Sequence, residues 1–248
     1  MKRFLLTLEY EGTAYSGWQR QLHQNSVQEE LERALFTATR VHTPVTGASR
    51  TDAGVHALGQ RAHFDTNANI PEDKWPYVLN THLPPDIRVS DCRRVGETFH
   101  ARFSARRKAY EYRIYNRRHH SALLRNFAAF VPLPLDEEKM SRALLPLLGT
   151  HDFAAFQASG GTAKTTVRTI FKAAVTRQGD DLTLLIEGDA FLYNMVRIIA
   201  GTLIGVGQGK LDADVFERAI QTRDRLALGV TAPACGLTLR RVWYEDEL

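Results

Sequence analysis

The sequence predicts an α+β protein of two lobes with similar content, in which helices flank a mostly antiparallel sheet. Segments with apolar residues at alternate positions are interspersed irregularly with amphipathic helical segments. Several predicted strands follow one another through turns rather than through helices, which favours antiparallel pairing. The 248 residues are enough for two cores, and the two halves have similar content. We therefore expect an N-terminal lobe over residues 1–105, a C-terminal lobe over 106–248, and a basic cleft between them.

The N-terminal half begins with a strand and a helix. In RFLLTLEY, residues 3–10, Phe4, Leu6 and Leu8 lie on one side at period two, as in an inward-facing strand. Ser26 and Glu29 form a capping box that opens a helix. Similar signals predict strands at 42–49, 60–66 and 84–92 and a helix at 71–83.

The C-terminal half begins with KAYEYRIYN, residues 108–116, which is predicted to be a strand with two chemically different faces. The elements predicted after it are a capped helix at 136–149, a hairpin at 166–190 that turns at 178–181, a long apolar helix at 191–207, a helix at 212–225 and a strand at 237–244.

The composition excludes several classes of protein. With 44% hydrophobic and 24% charged residues, the chain is that of an ordinary globular protein. No stretch approaches the ~18 apolar residues of a membrane helix, so we expect a cytoplasmic protein with no membrane association. Cys92 and Cys235 lie far apart, and the nine histidines show no ligand spacing. We expect neither a metal nor a disulfide.

Positive charge is concentrated in one stretch, residues 93–125, which we call the basic segment. It holds ten Lys or Arg residues against Glu97 and Glu111, a local balance of +8 in a chain of net charge +4. Such a concentration is typical of a surface that binds a polyanion such as nucleic acid, and also of a simple solvated basic face. Charge alone leaves both interpretations open.

The segment SRTDAGVH, residues 49–56, contains the one carboxylate between Glu32 and Asp65. Asp52-Ala53-Gly54 is a good turn sequence. An aspartate beside Arg50 also stays ionised and suits a nucleophile that attacks an electrophilic carbon such as a sugar anomeric centre. A nucleosidase would need a second carboxylate near Asp52, and none lies close to it in sequence.

Six stretches together resemble the tRNA pseudouridine synthase A family. They occur in the family's order and approximate spacing: LEYEGTAYSGWQRQ, GASRTDAGVHALGQ, FHARFSARRKAYEYRIYN, LLGTHDFAAFQ, FLYNMVRIIAGTLIGVGQGK and APACGLTLRRVWY. Several motifs in one order are more specific than any single motif, and they cover nearly the whole chain. The resemblance also implies two similarly folded lobes that form an extended, mostly antiparallel sheet flanked by helices.

The resemblance assigns roles to individual residues. It implies that Asp52 is the nucleophile, that Arg50 helps to displace the base, and that Arg197 pairs with the catalytic carboxylate. It also implies that Tyr110 stacks on the target uracil and that Leu237 lines the pocket. The candidates for phosphate contacts are Arg106, Arg107 and Lys108, together with Arg113, Arg117 and Arg118.

The implied function is isomerisation of uridines 38, 39 and/or 40 in the tRNA anticodon arm to pseudouridine, by a homodimer that uses neither metal nor cofactor. Whether Asp52 attacks the sugar or the base stays open. Two alternatives remain: a non-catalytic RNA-binding or chaperone protein in which SRTDAGVH is only a turn, and a nucleosidase that releases free uracil.

Overall fold

The computed structural model describes residues 1–247, which form two compact units. Unit 1 comprises Met1–Arg106 together with the C-terminal stretch from Thr238 onward, and unit 2 comprises Arg107–Leu237. The C-terminal stretch thus packs with unit 1, whereas the division made from sequence placed residues 106–248 in one lobe. That division into domains stays a prediction.

Unit 1 is built on strands of which most pair antiparallel. Its elements are β1 (Lys2–Tyr10), α1 (Val27–Thr39), β2 (Thr46–Gly47), β3 (His56–Thr66), α2 (Trp75–Asn80), β4 (Ile87–Val95) and β10 (Leu237–Trp243). The strand order is β4-β1-β3-β10, with β2 also paired to β3. Strand β10 runs parallel to β3, and the other pairs in this unit are antiparallel.

The core of unit 1 contains the apolar face predicted for the first strand. Phe4 packs against Phe64 with ring centroids 5.7 Å apart, and Trp75 of α2 lies edge-on to Phe64 at 5.0 Å. The predicted cap of α1 is present, since the Ser26 side chain accepts a hydrogen bond from the Glu29 backbone N–H at 3.3 Å.

Unit 2 combines an antiparallel sheet with three helices among the residues described. Its elements are β5 (Arg107–Asn116), β6 (Ala129–Val131), α3 (Glu137–Ala143), β7 (Gly149–Asp152), β8 (Val167–Gln178), β9 (Asp181–Gly188), α4 (Met195–Gly207) and α5 (Val215–Thr222). The strand order is β5-β9-β8-β7, and β6 runs parallel to β5. Helix α4 contacts β5 and α3, which places it in the core.

Four predicted helices are shorter than expected, and two of them are limited by proline. The helix expected at 71–83 is a single 3-10 turn followed by α2, with Pro76 in the first turn of α2. The helix expected at 136–149 ends at Ala143, because Pro146 cannot continue the hydrogen-bond ladder. The helix expected at 191–207 begins only at Met195, since Asn194 adopts a left-handed conformation with φ of 59°. The helix expected at 212–225 spans only Val215–Thr222, and Arg223, which follows it, adopts a left-handed conformation with φ of 59°.

The α+β class with mostly antiparallel strands is confirmed. No helix within residues 1–247 combines the length and hydropathy needed to cross a bilayer. Over the same range no three His, Cys, Asp or Glu side chains cluster as a metal site, and both thiols are free.

Candidate active site

Residues 49–56, hereafter the Asp52 loop, lie between β2 and β3 in unit 1 and end at the first residue of β3, His56. Buried and accessible side chains alternate over residues 49–52. Ser49 and Thr51 are 4% and 6% exposed, whereas Arg50 is exposed and Asp52 is half-buried. The alternation anchors two side chains in the core and presents the cation and the carboxylate outward.

Main-chain hydrogen bonds hold the Asp52 loop against the segment that follows β1. The Trp18 N–H donates to the Thr51 carbonyl at 3.0 Å, and the Gly54 N–H donates to the Tyr15 carbonyl at 3.3 Å. Within the loop the Val55 N–H donates to the Asp52 carbonyl at 3.1 Å, and Gly54 has a φ of 76°. The predicted turn is therefore present, and it is the same structure that presents Asp52.

Gly17 allows the segment that follows β1 to approach the Asp52 loop closely. Its φ is 101°, and a Cβ at this position would lie 2.6 Å from the Thr51 carbonyl oxygen and 3.1 Å from the Asp52 carbonyl carbon. A residue with a side chain would therefore displace the Asp52 loop.

A second arginine contributes to the charge around Arg50. Arg102 is exposed, and both partial burial and the positive charge of Arg50 lower the pKa of its guanidinium. Two cations close enough to repel each other make this part of unit 1 favourable for an anion.

In unit 2, strand β5 carries the tyrosine that the resemblance assigns to stacking. Tyr110 is 8% exposed and lies edge-on to Phe191, with ring centroids 5.1 Å apart and planes at 83°. Tyr112 is fully buried, and its hydroxyl donates to the Pro233 carbonyl at 2.8 Å, so it is a core residue.

Arg197 lies in the first turn of α4, and its polar contacts within unit 2 fix the guanidinium. Its Nε donates to the Ala232 carbonyl at 2.8 Å, and its Nη1 donates to the Asn194 side-chain oxygen at 2.9 Å. The Arg197 carbonyl also accepts from the Ala232 N–H at 3.0 Å. Leu237, the first residue of β10, is 6% exposed.

Ion pairs neutralise part of the positive charge that the basic segment carries in its sequence. At least five of its ten cations pair with carboxylates from other parts of the chain. These ion pairs are Arg93–Asp246, Arg106–Glu245 at 2.7 Å, Arg107–Glu187 at 3.6 Å, Arg113–Asp181 at 2.8 Å and Arg117–Asp180 at 3.5 Å. Arg107 also lies 4.7 Å from the ring centre of Phe171. The phosphate contacts assigned to Arg106, Arg107 and Lys108 stay predictions.

The sequence singled out side chains with reactive groups, whose roles stay predictions, and it did not single out the residues that contact them or the Asp52 loop. Arg50 and Asp52 share one loop, while Tyr110 and Arg197 lie on two elements of unit 2 that contact each other. Three such residues are Gln60 and Tyr10, whose side chains hydrogen-bond to Ser49 and Thr51 of the Asp52 loop, and Phe191, which packs on Tyr110. All three lie inside the motifs that carry the resemblance, but nothing in their periodicity distinguished them from ordinary core residues. On this scaffold, a half-buried carboxylate presented from a hydrogen-bonded loop that also carries Arg50 makes a candidate site for carboxylate nucleophilic chemistry.

Comparison with known proteins identifies the family. A family model described as tRNA pseudouridine synthase matches residues 7–104 and 143–245. The tRNA pseudouridine synthase A of Acetivibrio thermocellus is 49% identical over 244 residues, which cover 98% of this chain and 100% of that protein. The Bacillus licheniformis protein of the same name is 48% identical over 246 residues, with coverage of 98% and 100%. This chain belongs to the tRNA pseudouridine synthase family.

A solved structure shows a weaker likeness. A chain in a crystal structure of a Cbf5-Nop10-Gar1 complex matches 98% of this chain with a TM-score of 0.45 and 12% identity. This protein spans 50% of that chain's length.

Proposed function

We propose that this protein converts uridines 38, 39 and/or 40 in the anticodon arm of tRNA into pseudouridine, with Asp52 as the nucleophile. The observation that carries the proposal is the Asp52 loop. It lies within the region that matches the family, and it presents a half-buried carboxylate from a turn whose neighbouring side chains are buried.

The reaction rearranges one nucleoside without any other reactant. The bond between N1 of uracil and the sugar breaks, the base rotates, and a bond forms between C5 and the same sugar carbon. The hydrogen at C5 leaves as a proton and N1 gains one, so atoms and electrons balance. A covalent intermediate on Asp52, through either the sugar or the uracil ring, would divide this change into two easier steps.

The remaining residues have supporting roles in the proposal. Arg197 is the partner that keeps Asp52 ionised and oriented, and Arg50 helps to displace the base from the stack. Tyr110 stacks on the target uracil, and Leu237 contributes an apolar wall. Arg106, Arg107 and Lys108 contact phosphates, as do other cations of the basic segment.

The proposal also includes a homodimer in the cytoplasm that needs no metal or cofactor. Sedimentation of the purified protein would test the dimer. Activity after treatment with a chelator and desalting would test the independence from metal. We expect a mass of two chains and unchanged activity.

Pseudouridine mapping of bulk tRNA treated with wild-type protein and with Asp52→Ala tests the central assignment. Because pseudouridine and uridine have the same mass, the readouts are tritium release from C5 and carbodiimide-dependent stops in reverse transcription. We expect stops in the anticodon arm with the wild-type protein and none with Asp52→Ala, while tRNA binding is retained. Asp91→Ala, which removes an exposed carboxylate of β4, is the matched control and should retain activity.

Normal turnover by Asp52→Ala would contradict the role of Asp52. Tight tRNA binding with no product from the wild-type protein would favour the non-catalytic alternative. Release of free uracil would indicate a nucleosidase.

A further inference from the structure

Gln60 is fully buried, and its carboxamide uses its whole hydrogen-bonding capacity. The Oε1 atom accepts from the backbone N–H groups of Ser49 and Arg61, both at 3.2 Å. The Nε2 atom donates to the Ser49 carbonyl at 2.8 Å and to the Tyr10 hydroxyl at 3.3 Å. The side chain therefore holds both polar groups of the Ser49 backbone at once.

Tyr10 extends this contact to the next anchored residue of the loop. Its hydroxyl lies 2.7 Å from the Thr51 Oγ1 atom, and the tyrosine is 4% exposed. A buried chain of neutral hydrogen bonds thus runs from Gln60 through Tyr10 to Thr51.

The chain of hydrogen bonds begins where the strand ladder ends. Strand β2 pairs with β3 through Thr46 opposite His63 and Gly47 opposite Ala62. The Ala48 N–H then donates to the Arg61 carbonyl at 2.7 Å. At Ser49 the Gln60 side chain supplies both hydrogen bonds, so the main chain stays aligned with β3 up to the Asp52 loop.

We propose that Gln60 and Tyr10 are positioning residues for the reaction, which set the direction of Arg50 and Asp52 by fixing the backbone at Ser49 and Thr51. The inference rests on the proposed function. Arg50 lies between the two anchored residues, and Asp52 follows the second one directly. A reactive group needs placement to about 0.5 Å, and a displacement of about 1 Å costs on the order of 100-fold in rate.

A network that only stabilises the fold and a network that positions the loop predict different results. Removing both partners of a buried hydrogen bond and leaving apolar groups of similar shape can be nearly neutral for stability. The double variant Tyr10→Phe/Thr51→Val removes both hydroxyls of one hydrogen bond but leaves one Gln60 N–H without its acceptor, so it should fold with a modestly lower melting temperature. If the network positions the loop, the same variant turns over more slowly although its fold is intact.

The test measures kcat and KM by tritium release from tRNA, together with the melting temperature of each variant. We expect kcat to fall ~10- to 100-fold in Tyr10→Phe/Thr51→Val and in Gln60→Met, with KM for tRNA within about threefold of the wild-type value. Thr51→Ser keeps the hydroxyl and should restore most of kcat relative to Thr51→Val.

Unit 1 offers a matched control for each change. Tyr244→Phe removes another buried hydroxyl, which donates to the Ala101 carbonyl at 3.0 Å. Asn80→Leu removes another carboxamide that binds both polar groups of one backbone residue, Val89, at 2.8 and 2.9 Å. Both controls should lower the melting temperature and leave kcat within about threefold of wild type, so that a loss of stability alone is separated from a loss of rate.

The inference is overturned if the network variants and the controls show the same kcat at comparable stability. It is also overturned if Thr51→Ser and Thr51→Val are equally slow. If Gln60→Met does not fold, the results for the Tyr10 and Thr51 variants decide the test. An inactive wild-type protein would instead refute the proposed function, whereas an active wild-type protein with fully active network variants would refute only the inference.

Discussion

The Asp52 loop is held by neutral hydrogen bonds between buried groups, whereas some cations of the basic segment, such as Arg106 and Arg117, form ion pairs at the surface. Gln60 beneath the loop is fully buried. By contrast, the side chains of Arg106 and Glu245 are 59% and 77% exposed, and those of Arg117 and Asp180 are 61% and 49% exposed.

This difference in burial and charge predicts different roles for the Asp52 loop and the basic segment. A satisfied buried network specifies one geometry and responds little to salt. An exposed ion pair contributes only ~0–1 kcal/mol, so an arginine can exchange its carboxylate for a phosphate at low cost. We therefore expect the Asp52 loop to determine the rate of the chemical step and the basic segment to determine the affinity for tRNA.

The largest expected effect comes from displacing the Asp52 loop through Gly17. Gly17→Ala should reduce kcat by on the order of 100-fold, because the added methyl group would collide with the Thr51 carbonyl. Tritium release and melting temperature are the measurements. Gly209→Ala is the matched control, since Gly209 also has a positive φ, 69°, but has open space where a Cβ would lie. Equal kcat in the two variants would show that the loop tolerates displacement.

A smaller effect is expected from charge removal in the basic segment. Arg102→Gln and Arg118→Gln, at two exposed positions, should each weaken tRNA binding a few-fold and reduce the slope of log affinity against log salt by about one. Filter binding at several salt concentrations measures both. Arg142→Gln makes the same charge change on α3, outside the segment, and should leave the salt slope unchanged. A fall in kcat at saturating tRNA would contradict the division of roles.

The smallest effect on turnover is expected where the basic segment attaches to β3, because the change there concerns the pH dependence of stability. The His63 Nδ1 accepts a hydrogen bond from the Ala101 N–H at 3.1 Å. Burial, together with the nearby charges of Arg3 and His100, lowers the pKa of His63 from 6.5 to about 4. Because the unfolded chain takes up this proton first, stability is lost as pH falls from about 6.5 towards 4.

The variant His63→Asn keeps a hydrogen-bond acceptor but cannot titrate. Its free energy of unfolding should therefore fall less between pH 7 and pH 5 than that of the wild-type protein, by about 1–2 kcal/mol. Urea unfolding at pH 7 and pH 5 measures the difference. Identical pH dependence in the two proteins would show that His63 is protonated as readily in the folded state as in the unfolded chain.

Local signals in the sequence predicted much of the fold. The cap at Ser26 and the hairpin of β8 and β9 depend on residues within a few positions of each other, and both are present. Strands β6 and β7 were not predicted, since three or four residues are too few for a recognisable period. Strand β2 was predicted too long, because the Gln60 side chain, and not a strand partner, pairs with Ser49.

In the candidate site, the sequence could indicate only those residues whose reactive groups lie together in a motif. Asp52 and Arg50 follow each other closely in one segment, and the resemblance names them. The support from Gln60 and Tyr10 depends on contacts across 11 and 41 residues. The ion pairs of the basic segment likewise join residues far apart in the chain, such as Arg106 and Glu245, so counting charges along the sequence overestimated the positive charge of the surface that the segment forms.

Single-turnover tritium release as a function of enzyme concentration, with excess enzyme over labelled tRNA, tests the central claim most directly. Measured side by side for the wild-type protein, Asp52→Asn and Arg118→Gln, it separates the rate at saturation from the concentration at half-saturation. The account predicts that Asp52→Asn has no measurable rate at any concentration although it still binds tRNA, and that Arg118→Gln reaches the wild-type rate at a higher enzyme concentration. A saturating rate for Asp52→Asn close to the wild-type value would contradict it.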